Sequence, residues 1–194
     1  MNLPITREQA IEFLISLNND QSQMNHYLES EAIMKGLAKY FGENEEYWAM
    51  LGLLHDIDWA NTKNDVANHG IQMVNMLKKL GFDEETIKIM QSHTYGHDII
   101  PEFKDKQRTQ KIEYCLAASE TLTGIIYAYA LMRGKKISDM QVKGLKKRFK
   151  NKAFAQTCNR EIIKEIEKAG LELSIFFQIA IDSIDSIKEA LQLS

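Results

Sequence analysis

Proline and cysteine are nearly missing from this chain, with two of each in 194 residues. With only Pro4 and Pro101, the interior lacks its strongest helix breakers, and a background rich in Leu, Ile, Lys, Glu and Ala then predicts an all-α protein. Cys115 and Cys158 have no metal-like spacing and are too few for a disulfide framework, so reduced thiols in the cytoplasm are expected. An excess of one charge is absent too: 24 basic residues stand against 27 acidic ones, a net charge of -3, which gives no global field for nucleic acid or anionic lipid. Unbroken apolar runs are only a few residues long, so no membrane-spanning helix is expected. The N-terminus, Met1 to Glu8, shows neither the basic nor the apolar stretch of a secretory signal. What remains is an ordinary globular composition, 44% hydrophobic and 26% charged, at a length suited to one domain that folds without a staple.

The punctuation reads as successive helices. Thr6 caps a helix running to about Asn18. A second spans about Gln23 to Phe41 and stops at Gly42. Asn44 caps a third, which ends near Asp56 and is followed by a polar loop from Asp58 to Asn64. Asp65 opens a fourth helix that ends at Gly81, and Asp83 a fifth that reaches about His93. Thr94 to Lys106, with Gly96 and Pro101, reads as a long surface loop of the kind that often carries function. A long apolar helix follows, from about Gln107 to Met132, and then two or three more, the last from about Leu173 to Leu191. Nothing alternates with period two, so strands should be absent or minor.

The informative residues are the histidines, His26, His55, His69, His93 and His97. On the fourth helix His69 shares a stripe with Met73, Met76, Leu77 and Leu80. His26 shares a face with Ile33 and Leu37, His55 with Trp48 and Leu51, and His93 with Ile89 and Met90. Glu120 falls on the apolar face of the long helix, in phase with Leu116, Gly124 and Tyr127, and Asp56 adjoins His55. A single histidine on an apolar face is ordinarily a hydrogen-bonded core residue. Four histidines and a carboxylate turned inward from five helices would need five separate satisfactions, because an unpaired buried carboxylate costs several kcal/mol. One shared divalent cation satisfies them together. A donor set of nitrogen and oxygen without thiolate leaves Fe, Mn, Zn, Co, Ni or Mg and disfavours a structural zinc site.

At these residues the sequence resembles the HD-domain superfamily of metal-dependent phosphohydrolases, whose pattern is a His, a His-Asp pair and a distant carboxylate, usually Asp. The matching positions are His26, the pair in Gly52-Leu53-Leu54-His55-Asp56, and Glu120 in Ala118-Ser119-Glu120-Thr121. The run His55-Asp56-Ile57-Asp58-Trp59, followed by Thr62-Lys63 and His69-Gly70, is similar to a small bacterial subgroup of predicted HD-superfamily hydrolases. That likeness extends through Leu122-Thr123-Gly124 to Lys150-Asn151-Lys152-Ala153-Phe154. It implies a single HD-like helical bundle over residues 1–194, with a core at about 20–132, a C-terminal helical extension at about 135–194, and the metal site between the core helices. Glu120 replaces the usual Asp, and the glycine-tyrosine-proline motif of the HD-GYP phosphodiesterases is missing. His69 and His93 resemble the extra histidines of dinuclear members, which include the HD-GYP enzymes and the mixed-valent diiron oxygenases. The resemblance therefore implies two divalent ions bridged by Asp56, one held by His26, His55 and Glu120, the other by His69 and His93.

A dinuclear site of this kind suits hydrolysis of a phosphate monoester or diester of a small phosphorylated or nucleotide substrate. Two other readings share the residues: a diiron oxygenase acting on a small polar substrate, and a non-catalytic metal- or nucleotide-binding module. Beside the catalytic Asp56, Asp58 and Lys63 stand just past the pair as candidate acid–base group and anion binder, with a solvated loop as the plain alternative. His97, near Tyr95 in the long loop, is a candidate gate or proton donor, or simply a surface residue. The cluster of Lys143, Lys146, Lys147, Arg148, Lys150 and Lys152 is either a solvated helix face or an anion-recognising patch near the pocket mouth. The expected partner is a small phosphorylated molecule, with no nucleic acid and no membrane, and the oligomeric state stays open.

Overall fold

Short polar side chains start the first three helices of this protein. In the computed structural model, which describes residues 3–194, every regular element is helical and no strand occurs among the described residues. Met1 and Asn2, the first positions of the N-terminal segment read above, lie outside the described residues. Thr6 caps α1 (Arg7–Ser16) in a capping box with Gln9. Asp20 caps α2 (Gln21–Phe41) by accepting from the Gln23 amide, so this helix starts two residues earlier than its expected Gln23. Gly42 ends it in the left-handed region at φ 70°, where a side chain would be strained. Asn44 caps α3 (Glu45–Leu54) and Asp83 caps α6 (Glu84–Gln91).

Three expectations need correction. The segment 58–64 is not a solvated loop: it contains α4 (Trp59–Thr62), and both Asp58 and Thr62 are buried. The fourth helix expected from Asp65 to Gly81 is broken. A 3-10 turn (Val66–Asn68) ends at His69, whose backbone is extended, and α5 covers only Met73–Lys79. The break has a physical cause in Asp58, whose carboxylate accepts from the Gly70 and Met73 amides and so takes over donors at the start of α5. The long helix, α7 (Lys111–Met132), starts four residues later than expected. The Glu113 side chain reaches back to the amides of Thr109 and Gln110, while Arg108 is drawn away to other carbonyls.

Beyond α7 lie α8 (Val142–Lys150), α9 (Arg160–Lys164) with a 3-10 turn (Glu165–Ala169), and α10 (Leu173–Asp185). The last helix stops short of Leu191, and the chain turns so that the Ser194 carbonyl accepts from the Ile137 amide. The core is continuous from α1 to the C-terminal turn, with α10 against α2 and both α9 and its 3-10 turn against α7. By length and composition α7 alone among the described helices is apolar enough to cross a membrane, so short apolar runs were an insufficient criterion. Its apolarity is explained by packing: Cys115 to Ser119, Leu122, Thr123, Ile125 and Ile126 are all buried against surrounding helices.

At Gly52, α2 and α3 meet backbone against backbone. A Cβ at Gly52 would lie 2.5 Å from the Ser30 carbonyl oxygen and 2.9 Å from the Glu31 nitrogen. Only glycine lets the two backbones meet there, and this contact brings the end of α3 beside His26 of α2.

Candidate metal centre

Four histidines converge on one carboxylate. His26 comes from α2, His55 from the C-cap of α3 and His93 from the 3-10 turn (Ser92–Thr94) that extends α6. His69 comes from the end of the Val66–Asn68 turn. Asp56 Oδ1 lies 3.2 Å from Nε2 of both His69 and His93, and 3.7 Å from Nε2 of His55. Asp56 Oδ2 lies 3.7 Å from Nε2 of His26. Donor atoms of His26, His55 and Asp56 all fall within 4.8 Å of one another, and so do those of Asp56, His69 and His93, so each set can hold a metal ion.

The hydrogen bonds on the outer side fix which nitrogen faces inward. His55 Nδ1 is 2.8 Å from the Gly52 carbonyl and His93 Nδ1 is 2.6 Å from the Met90 carbonyl. A carbonyl only accepts, so both Nδ1 atoms carry hydrogen. His69 Nδ1 donates to Asp58 Oδ1 at 2.9 Å. His26 Nδ1 is 3.0 Å from Thr123 Oγ1, whose own hydrogen goes to the Glu120 carbonyl at 2.6 Å, so the imidazole again donates. Each ring therefore turns Nε2 to the interior, and in the neutral form that atom carries a lone pair. Those lone pairs face each other, with Nε2–Nε2 distances of 3.0 Å for His26–His55 and 3.0 Å for His69–His93. Such pairs repel unless a cation or a proton stands between them, and the N,O donor set fits a divalent ion.

The two halves differ electrostatically. Burial pushes the His26 imidazole below its ordinary pKa and the His55 imidazole down to about 3, the attraction of Asp56 notwithstanding. Neither supplies a proton of its own near neutrality. At His69, burial also favours the neutral ring, but Asp56 and Asp58 together outweigh it and lift the pKa to about 10. For Asp56, burial favours the acid form, yet the surrounding imidazoles hold it well below the usual carboxylate range.

The centre opens on a cleft of about 700 Å³ whose wall includes His26, Asp56, His69, His93, His97, Ile99, Glu120 and Thr123, with Thr157 and Cys158 from the C-terminal region. Glu120 thus shares the cleft, but its carboxylate accepts from Thr121 Oγ1 and it belongs to neither close donor set. Burial raises its pKa to about 7, with His93 pulling the other way. His97 is exposed at the rim; its Nδ1 accepts from the Ile99 amide, which leaves the ring hydrogen on Nε2. Asp58 does not face the cleft as an acid–base group: it is fully buried, with its oxygens engaged by His69, Gly70 and Met73. Lys63 is exposed and lies outside the cleft. The basic cluster is likewise not at the mouth. Lys143, Lys146, Lys147 and Lys150 line a separate hollow with Val142, and Arg148 stacks over Tyr129 and Phe154.

Several supporting residues had no sequence signal in isolation. Thr123 orients His26, Gln23 Nε2 donates to Asp56 Oδ2 at 3.1 Å, and the Tyr27 hydroxyl donates to the Asp56 carbonyl at 3.0 Å. Arg108 is buried and donates to the Ser92 and Tyr95 carbonyls on either side of His93 while paired with Glu165 at 2.5 Å. One signal was available: His55 and His93 each stand three residues beyond the carbonyl they bond, at the end of a helix.

Residues 24–128, more than half of the chain, match the family model described as HD domain. No curated protein and no solved structure matches the chain. The matched span contains all four converging histidines, Asp56 and Glu120, and ends before α8.

Proposed function

The chain belongs to the HD-domain family, which is typical of metal-dependent phosphohydrolases, and from that premise we propose that it hydrolyses the phosphate ester of a small molecule at a centre of two divalent ions. The observation that carries this reading is the pair of facing Nε2–Nε2 contacts around a shared Asp56. In this reading His26, His55 and Asp56 would hold one ion, and Asp56, His69 and His93 would hold the other. Glu120 adds a further carboxylate on the cleft wall. Divalent ions in such a site supply an activated water at neutral pH and stabilise the charge of a transferring phosphoryl group.

The chain's own residues do the rest. Asp58, Gly52, Met90 and Thr123 fix each ring's tautomer, so the donor atoms need no rearrangement. His97 presents an N–H donor at the rim, where a leaving group or phosphate oxygen would pass. The cleft volume suits a small substrate rather than a polymer.

The test is reconstitution with Mn or Fe, metal counting, and phosphate release from a panel of monoesters and diesters under anaerobic conditions. Metal-dependent release without oxygen supports the proposal. Turnover that consumes dioxygen stoichiometrically replaces it with the diiron oxygenase reading, and metal binding without turnover of any ester replaces it with a non-catalytic module.

A further inference from the structure

One carboxyl in the molecule has no evident structural role. Glu29 lies one turn beyond His26 on α2, is 3% exposed, and its Oε1 has no hydrogen-bond partner. A buried carboxyl oxygen without a partner costs stability that a leucine at the same place would not. Burial alone raises its pKa to about 8, so at neutral pH it is mostly the neutral acid, able both to donate and to accept.

Glu29 lines a recess of about 290 Å³ that is distinct from the main cleft but shares His26, Asp56 and Thr123 with it. The other groups of the recess have defined hydrogen-bonding capacity. Gln23 spends its Nε2 on Asp56 and leaves Oε1 as an acceptor. Asn25, buried, accepts from Gln21 at Oδ1 and leaves its amide nitrogen as a donor. Ser22 and Tyr127 add hydroxyls. No lysine or arginine lines the recess, and Asp56 stands in its wall, so an anionic group is repelled there. An apolar group would leave Glu29 and Asn25 unpaired. A group that both gives and accepts hydrogen bonds and carries no charge matches the set.

We infer that this recess is the subsite for the neutral, hydroxyl-rich portion of the substrate, a polyol or sugar, whose phosphate end meets the metal centre across the shared wall of His26, Asp56 and Thr123. The assignment rests on the phosphate-ester reading above and names the alcohol half of that ester. Glu29 is a specificity-determining residue in it, holding a hydroxyl of the substrate.

Binding of non-hydrolysable probes to the Mn-loaded full chain at pH 7, measured by calorimetry, tests it without reliance on turnover. The probes are the phosphonate analogue of ribose 5-phosphate, phenylphosphonate and 3-aminopropylphosphonate. The wild type should bind the sugar phosphonate about tenfold more tightly than the other two, the factor that one or two neutral hydrogen bonds provide. Glu29→Leu should erase that preference and leave phenylphosphonate affinity within about twofold. Tyr127→Phe, which removes only a hydroxyl, should reduce the preference in part and serves as the second variant if Glu29→Leu fails to fold. Equal affinity of the wild type for the sugar and phenyl probes, a preference for the aminoalkyl probe, or a sugar preference that survives both substitutions overturns the assignment. So does failure to bind any phosphonate, which also removes the reading beneath it. A sugar preference in a protein that hydrolyses no ester supports the recess and refutes the phosphohydrolase reading alone.

Discussion

Replacing Gly52 by alanine sets two known effects against each other. Glycine in a helix interior is disfavoured relative to alanine by roughly 1 kcal/mol, so an unobstructed site would gain about that much. Gly52 is obstructed. Its added Cβ would stand 2.5 Å from the Ser30 oxygen, 2.7 Å from the Ser30 carbonyl carbon and 2.9 Å from the Glu31 nitrogen, all backbone atoms of α2. A non-bonded contact relaxes to about 3.5 Å, so α3 must retreat from α2 by about 1 Å. Overpacking of a core costs about 1–3 kcal/mol, and the upper half of that range applies where no side chain can swing aside. The net expectation is a loss of about 1–2 kcal/mol, which for a chain of this length lowers Tm by roughly 2–8 °C.

The same retreat has a second readout. The Gly52 carbonyl survives the substitution, so His55 keeps its partner and its tautomer. What changes is the 3.0 Å separation of His26 Nε2 and His55 Nε2, because those rings ride on the two helices being pushed apart. Loss of ligand geometry of this kind typically weakens metal binding by tenfold or more. Thermal unfolding of the metal-free protein and a metal titration measure the two effects separately. A raised Tm, with metal affinity unchanged, would mean that helix propensity wins and that α2 and α3 do not touch at Ser30; the account of how the centre is assembled would then be wrong.

Substituting Asp56 by alanine should abolish most metal binding while circular dichroism stays helical, whereas His69→Ala with His93→Ala should lower the count from about two ions to about one. Glu120→Gln should weaken metal binding and Glu120→Asp less so; equal titration curves for Glu120→Gln and wild type would remove Glu120 from the centre. Arg108→Ala leaves Glu165 with Lys168 alone and the Ser92 and Tyr95 carbonyls without their donor, and should destabilise by about 1–3 kcal/mol in denaturant unfolding. Glu29 gives a pH signature: its folded pKa of about 8 lies above the ordinary 4.5, so the folded state holds the extra proton and stability falls as pH rises from about 4.5 to 8. Glu29→Gln should flatten that fall by up to about 4–5 kcal/mol, and a wild-type curve that rises over this window relative to Glu29→Gln contradicts the assignment.

The ends of helices were legible wherever the cap lies next to the element it caps, as at Thr6, Asn44, Asp83 and Gly42. They were illegible where the partner is distant. The stripe of His69, Met73, Met76, Leu77 and Leu80 has helical period, and all but the first do lie on or at the end of α5. His69 leaves the helix because Asp58, twelve residues before Gly70, takes the amides that a continuous helix would use internally. Periodicity records which side chains face inward, and His69 does face inward; it carries nothing about which acceptor holds the backbone. The same limit hid Arg108, read as the start of a helix when its guanidinium ties the Ser92–Thr94 turn to Glu165.

For the candidate centre, helical phase turned His26, His55, His69, His93 and Glu120 inward, and the family resemblance supplied Asp56 as their common partner; the structure brings the four rings around Asp56 and leaves Glu120 outside both close donor sets. Helical phase did not separate Asp58 from that group, although the two aspartates stand only two residues apart. The separation is geometric. Asp56 follows the C-cap of α3 and turns its carboxylate to four Nε2 atoms, whereas Asp58 is rotated to the other side and meets His69 at Nδ1. One carboxylate therefore serves as the common acceptor, and the other decides which nitrogen of His69 that acceptor meets. Were Asp58 to bond nothing, His69 would be free to flip, and the Nε2–Nε2 pairing with His93 would lose its register. Each of the four rings is held in this manner from outside, two by the carbonyl three residues behind and two by a side chain from another segment. The inward nitrogens are thus aimed before any cation arrives: between His26 and His55 the facing lone pairs repel, a cost that ion binding relieves, whereas at His69 a proton takes the cation's place until an ion displaces it.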